Sequence, residues 1–282
     1  MTSRSLLSIA VTALLALATQ PRPSAAATAD TLTVVTLNLW HDSHEWPRRL
    51  PVILAELRRI RPDVLCLQEV LQHATLRNQA ETLADSLGWH VQFASVDGPE
   101  RPKRYGNAIL TPHRVLLRGE RNLSPDNDYR AVAHVRLQWR GRQVDAYSTH
   151  LHHTPEGGEI RATQIRHLLA YADSTRGKGP VVIGGDFNCE LGSPEMDLMT
   201  ARWLDVFRAV HPGASRAEAT TFNPLYGPEV GVIDHMFVEG GSARRTRRIK
   251  PVASEVILRT PAADSVWASD HFGVVGKLAV TR

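Results

Sequence analysis

Residues 181–188 read VVIGGDFN: aliphatics, two glycines, then a carboxylate, an aromatic ring and an amide. Such a run predicts a short strand that ends in polar groups at a sheet rim. Three other stretches are built the same way: residues 32–39 (LTVVTLNL), 63–70 (DVLCLQEV) and 232–238 (VIDHMFV). Their apolar residues are continuous rather than alternating, which predicts strands covered on both faces. Weaker strand candidates are residues 90–95, 108–111, 131–139, 144–149 and 274–280.

Helical spacing fills the intervals. From 48 to 60, Leu50, Ile53, Leu54, Leu57 and Ile60 share one face, and Arg61-Pro62 ends the pattern. From 75 to 87, Leu76, Ala80, Leu83, Ala84 and Leu87 repeat it up to Gly88, and from 159 to 172 so do Ile160, Thr163, His167, Leu168 and Tyr171. No internal repeat and no Pro/Ser-rich linker divides residues 28–282, so a single α/β domain is expected there.

Residues 1–27 read as an export signal. Arg4 precedes a thirteen-residue apolar run, 6–18, too short to span a bilayer, and small residues around Ala26 and Ala27 suit cleavage. A soluble protein, secreted or periplasmic and without a stable membrane anchor, is the expectation. Cys66 and Cys189 would then lie where a disulfide is permitted, although sequence does not tell whether they approach. Two cysteines exclude a disulfide framework and an all-cysteine zinc site.

The 282 residues carry 33 Lys+Arg and 29 Asp+Glu, a formal charge of +4. Loss of Arg4 and Arg22 with the signal lowers it to +2. Arg244, Arg245, Arg247, Arg248 and Lys250 fall within seven residues, and without them the remainder is −3. The basic balance is therefore one local cluster, which reads first as a solvated loop or edge strand and second as a contact for an anionic partner.

The polar residues at the strand ends carry the chemistry. Asn38 stands in TLNLW, Glu69 in LQEV, His150 in STHLHH, Asp186 and Asn188 in GGDFN, Asp234 in VIDH, and Asp270 and His271 in SDHFG. Asn38, Glu69 and Asp270 offer hard oxygen donors in small number, which suits Mg²⁺ or Mn²⁺. His271 beside a carboxylate such as Asp234 is held in one tautomer, Asp186 can take a proton from water, and Asn188 can donate to a phosphate oxygen. A dizinc reading of His150, His152 and His153 fails because Thr154 and Pro155 follow where Asp and His are needed.

In order and spacing, TLNLW, LQEV, RYGNAIL, STHL, GGDFN, VIDH and SDHFG resemble the endonuclease/exonuclease/phosphatase (deoxyribonuclease I-like) superfamily over residues 32–280. The resemblance implies a four-layered α/β/β/α sandwich of two packed mixed sheets, and a metal-dependent phosphoesterase, foremost a phosphodiesterase, with water attacking phosphorus in line. It implies metal roles for Asn38, Glu69 and Asp270, and catalytic roles for His150, Asp186, Asn188, Asp234 and His271, with the general base open between Asp186 and His271. It also implies phosphate contacts at Arg104 and Asn107. One departure is Val232, where many members carry Arg before the Ile-Asp pair.

The substrate class stays open between a nucleic acid, a lipid headgroup and a small phosphoester. The six tryptophans are scattered rather than gathered into a membrane wedge. A non-catalytic binding protein on the same scaffold is the alternative of a different class; loss of Glu69, His150, Asp186 or His271 would have favoured it, and all four are present. A monomer is expected, and no protein partner is evident.

Overall fold

The computed structural model describes residues 30–227, 231–240 and 249–281. In chain order the strands are β1 (Asp30–Asn38), β2 (Val64–Gln72), β3 (His90–Ser95), β4 (Arg104–Thr111), β5 (Val115–Leu123), β6 (Arg130–Trp139), β7 (Arg142–His150), β8 (Val181–Asp186), β9 (Trp203–Asp205), β10 (Asp234–Glu239), β11 (Ile249–Ile257) and β12 (Gly273–Val280). The helices are α1 (Trp46–Ile60), α2 (Gln79–Leu87), α3 (Gly158–Thr175), α4 (Pro194–Thr200), α5 (Val206–Val210) and α6 (Arg216–Ala219).

The strands form two six-stranded sheets, β11-β12-β1-β2-β4-β3 and β5-β6-β7-β8-β10-β9. Each is mixed: β1 runs parallel to β2 and antiparallel to β12, while β8 runs parallel to β7 and antiparallel to β10. Apolar residues gather in three layers. Leu32, Val34, Cys66, Ile109, Ala146, Val182 and Met236 fill the space between the sheets. Val35, Leu65 and Leu110 pack the first sheet on Ile53, Leu57 and Leu83 of α1 and α2. Tyr147, Ile183 and Phe237 pack the second on Ile165, Leu168 and Met199 of α3 and α4. The result is the four-layered α/β/β/α sandwich, and the continuous apolar runs are explained because both faces of each central strand are covered.

The sheets are in close contact where Gly184 faces Cys66 and Thr36. A Cβ at 184 would stand 3.1 Å from Cys66 Sγ and 3.3 Å from Thr36 Cβ, so a larger side chain would wedge the layers apart.

Three strands escape the sequence reading: β5, β9 and β11. β5 and β11 are sheet edges, and β5 carries Arg118, Glu120 and Arg121, charges of the kind that protect an edge from pairing. Of the basic cluster, Arg244, Arg245, Arg247 and Arg248 lie outside the described residues; Lys250 is exposed on the edge strand β11. Residues 1–27 also lie outside them. The helix expected from 75 begins at Gln79, because Asn78 caps it by accepting from the amides of Ala80 and Glu81. The buried face of α3 is also shifted from the expected one, to Arg161, Ala162, Ile165, Leu168 and Ala172. Arg161 can be buried there because Glu195 pairs with it at 2.7 Å.

Cys66 and Cys189 are both free and buried. Cys66 lies between the sheets and Cys189 in the layer of α3 and α4, so the permitted disulfide does not form. Burial pushes both thiols up to about 12, which makes them poor nucleophiles. Titration with a thiol reagent should find two reactive groups after denaturation without reductant and almost none in the native protein; a single pairing event would appear as none in either state.

Candidate active site

Strand register assembles the cluster. His150 at the end of β7 pairs with Asp186 at the end of β8, and Asp186 pairs with Asp234 at the start of β10. These three share the inter-sheet face with Ala146, Val182 and Met236, at positions separated by an even number of residues. From the opposite sheet, Asn38 ends β1 on the same side as Val34 and sends its amide Nδ2 to Asp186 Oδ2 at 3.0 Å and Glu69 Oε1 at 3.2 Å.

Glu69 reaches this face through a bulge. Strand β2 shifts register against β4 between Leu67 and Val70, and Glu69 adopts a left-handed φ of 54°. Before the bulge Leu65 and Leu67 face the helices, and after it Val70 does so. The extra residue reverses parity and lets Gln68 and Glu69 both point inward. Gln68 is held by Thr36 and Ser148, whereas Glu69 meets Asn38 and the Tyr105 hydroxyl.

Electrostatics follow from burial. Asp186 is pushed up to about 7, first by its removal from water and then by the neighbouring Asp234 charge; Asn38 and the Asn188 amide, which donates at 2.9 Å, oppose the shift. Burial alone would lower the pKa of His271, but the Asp234 charge and the 2.8 Å Nδ1 to Oδ2 hydrogen bond, aided by Asp186 and Asp270, raise it to about 10. His150 moves the opposite way, well below the usual imidazole range, because it is buried and lies near the positive charge of Arg130. Its Nε2 stands 3.5 Å from Asp186 Oδ2. The cluster thus holds a charged histidine and a neutral one on either side of one carboxyl group.

Among the described residues, two donor sets could attract a cation. Asp186, Asp234 and His271 offer atoms within 4.8 Å of one another, but all three are buried and His271 is already hydrogen-bonded to Asp234. Glu69 and Asp270 are half-buried, and burial together with the Glu69 charge raises the Asp270 carboxyl. Two like charges held near each other at the mouth of the cleft, both oxygen donors, fit a hard divalent ion better.

The expected residues therefore converge, with one exception. Asn188, in a left-handed conformation, donates Nδ2 to Leu151 O at 3.0 Å and closes the floor beside Asp186. Asn107 faces the inter-sheet side with Ile109, gives Nδ2 to Ala131 O at 2.7 Å and leaves Oδ1 buried without a partner among the described residues. Arg104 is the exception. Strand alternation puts it on the helix side with Ala108 and Leu110, where it donates to Asp97 O and lies 4.9 Å from the Phe93 ring. Its neighbour Tyr105 occupies the position facing Glu69.

Two arginines at the cleft were not anticipated. Arg130 opens β6, is 8% exposed, bonds Leu151 O at 2.9 Å and has no carboxylate partner among the described residues. Arg49 is buried in α1 and directs every N–H to a backbone carbonyl: Nε to Ser43, Nη1 to Leu39 and Ala268, Nη2 to Trp40 and His41. It joins the loop after Asn38 to the segment before Asp270. Its signal in the sequence is a charge within an apolar helical stripe, three residues after Trp46 and four before Ile53.

Replacing Arg49 by Leu would orphan these buried carbonyls and should lower stability by about 3 kcal/mol or more in urea unfolding. A second lock stands behind Asp234. Buried His235 meets Asp205 Oδ2 at 3.0 Å through Nδ1 and Cys189 O at 3.1 Å through Nε2. Both partners accept, so both nitrogens carry protons. Burial works against this charge, but Asp205 and the carbonyl outweigh it and raise the pKa above 6.5. The stabilisation is complete below 6.5 and is lost as pH rises through the folded-state value. The melting temperature of the wild type should fall across that alkaline window more than that of His235→Gln.

Comparison with known proteins bears on the family and the fold. Residues 35–271 match the model of the endonuclease/exonuclease/phosphatase family. Protein angel homolog 2 of Danio rerio is 30% identical over 182 residues, which are 57% of this chain and 31% of that protein. The chain spans well under half the length of such curated relatives, 42% for the mouse protein of the same name. Among solved structures, the endonuclease/exonuclease/phosphatase from Bacteroides vulgatus superposes with a TM-score of 0.73 at 18% identity, covering 89% of this chain and 100% of its own. D. rerio TDP2 complexed with single strand DNA product superposes at 0.72 and 18% identity, covering 88% and 98%. By the extent of the family match and the sandwich it shares with these structures, the chain belongs to the endonuclease/exonuclease/phosphatase family.

Proposed function

We propose that the protein is an exported, Mg²⁺- or Mn²⁺-dependent phosphodiesterase that hydrolyses its ester by in-line attack of water. The observation that carries this reading is the facing pair of rows, His150–Asp186–Asp234 from one sheet and Asn38–Glu69 from the other, with His271 and Asp270 closing the end. A cation held by Glu69 and Asp270, with Asn38 beside them, would neutralise negative charge on the phosphate oxygens.

The chain's own groups divide the remaining work. His271 is positively charged, fixed by Asp234, and its free Nε2 lies 3.8 Å from Asp186 Oδ2, so it can stabilise an anionic centre between them. That leaves Asp186 as the acceptor of the water proton. Asn38 keeps one Asp186 oxygen oriented and the Asn188 amide holds the other. Arg130 and the neutral His150 line the side on which phosphate oxygens would rest, whereas the unpartnered atom of Asn107 is an acceptor and its Nδ2 is committed to Ala131 O. Two observations support nucleic acid over lipid: the structural neighbour TDP2 is described with single strand DNA product, and exposed apolar side chains such as Leu117, Leu204, Leu225 and Val252 are dispersed over separate segments. Among the described residues no helix is long and apolar enough to cross a membrane.

Chelation should abolish hydrolysis of bis(p-nitrophenyl) phosphate, and Mg²⁺ or Mn²⁺ should restore it. Glu69→Ala, Asp186→Ala and His271→Ala should each lower kcat/KM by about a thousandfold or more, with circular dichroism unchanged. A folded protein with no cation-dependent turnover on any phosphoester would overturn the enzyme reading; full activity in one variant would remove that residue from the machinery.

A further inference from the structure

The loop that follows Asn38 has a costly conformation. Trp40, His41, His44 and Glu45 all take left-handed φ angles between 35° and 59°, although none is glycine. Such backbone strain persists only where the surroundings enforce it. Here Arg49 enforces it through four of the loop's carbonyls, and Asn38 Oδ1 holds the Trp40 amide at 2.9 Å. The result is an aromatic cluster at the lip of the cleft. His44 stacks on Trp40 with centroids 4.3 Å apart and planes 20° apart. Tyr226 closes against both, 4.6 Å from Trp40 and 5.4 Å from His44.

The third ring comes from a different segment, which is also tied to the reaction centre. The Tyr226 amide bonds Asn223 O, and the Asn223 amide bonds Asp270 O at 2.7 Å. Trp40 and Tyr226 are therefore each fixed through short links to Asn38 and Asp270, the residues placed at the cation. Trp40 is the inner, half-buried ring; His44 and Tyr226 are exposed.

We infer that Trp40, His44 and Tyr226 form a subsite for a planar heteroaromatic ring, a nucleobase, carried by the substrate beside the scissile phosphate. Exposed rings in this setting offer a stacking surface that tolerates any base. A bilayer is a poorer occupant, because the ion pairs of Arg48 with Glu45 and Asp264 stand exposed on the same loop and helix start and would have to enter the lipid with the rings. The subsite rests on the phosphoester reading for its location, but binding can be measured without turnover.

Isothermal titration of the full chain in Mg²⁺ would compare adenosine 5′-monophosphate with ribose 5-phosphate, which keeps the sugar and phosphate and lacks the base. The nucleotide should bind at least about tenfold more tightly. His44→Ala and Tyr226→Ala should each remove most of that advantage while leaving ribose 5-phosphate binding unchanged, and Tyr226→Phe, which keeps the ring, should retain it. Equal binding of the two ligands, no binding of the nucleotide, or an advantage that survives both alanine variants overturns the subsite. So does loss of binding to phosphatidylcholine vesicles in the same two variants with nucleotide binding intact, which would make the rings a membrane contact. A base-dependent affinity in a protein that hydrolyses no phosphoester would support the subsite and defeat the enzymatic reading, so the two fail separately.

Discussion

A carboxyl group as deeply buried as Asp186 needs compensation from its surroundings, and the groups that supply it come from both sheets. Asn38 crosses the interface to donate to one oxygen, the Asn188 amide donates to the other, and charged His271 lies near. Each depends on a backbone feature: the end of β1, the left-handed turn after β8, and the short segment that leads into β12. A slip of one residue in β7, β8 or β10 would turn His150, Asp186 or Asp234 toward the helices and leave that compensation unmatched. The packing of two covered sheets, which fixes register through the aliphatics below, is thus what makes the cluster reproducible.

Two local departures from regularity finish the site. The bulge in β2 reverses strand parity at Glu69, and the left-handed loop after Asn38 is held by four of the five hydrogen bonds of Arg49, the fifth tying it to Ala268. Burial brings the Arg49 pKa down to about 10, but the negative fields of Asp270, Asp42 and Glu69 act against that, so it stays charged at neutral pH. It stabilises nearby carboxylates through space while its N–H groups bind only carbonyls. One side chain therefore sets the geometry of the Glu69 and Asp270 side and softens its repulsion.

The central strands were legible because continuous Val, Leu and Ile runs have one explanation, burial on both faces. The site residues were legible for a related reason: a polar residue that ends such a run must lie at the rim between the layers. Edge strands β5 and β11 were not, since an edge is half-solvated and its charges obscure the apolar pattern. Arg104 shows a different limit. RYGNAIL puts Arg104 and Tyr105 side by side, and only strand alternation, known once Ile109 is seen between the sheets, tells that the tyrosine faces the cleft. Arg130 and Arg49 were missed because a single letter does not reveal whether an arginine is exposed or buried. Arg49 at least broke an apolar stripe, which is a signal that can be looked for.

The distribution of charge within the cleft also limits what can recognise a substrate. Glu69, Asp186, Asp234 and Asp270 gather at the candidate site, so under the proposed reading an approaching phosphate would meet a negative field until a cation was bound. Arg49 has no N–H left to offer, and one of the two His271 donors is bound to Asp234. Among the described residues, Arg130 keeps donors beyond its contacts to Leu151 O and His153, and with His271 Nε2 it is the main positive group at the centre. Under the proposed phosphodiesterase reading, so few contacts would hold a phosphoester while doing little to tell one ester from another. On that reading, discrimination would come from groups outside the reacting atoms, and the segment beside the site with a run of left-handed residues is the loop that carries Trp40 and His44.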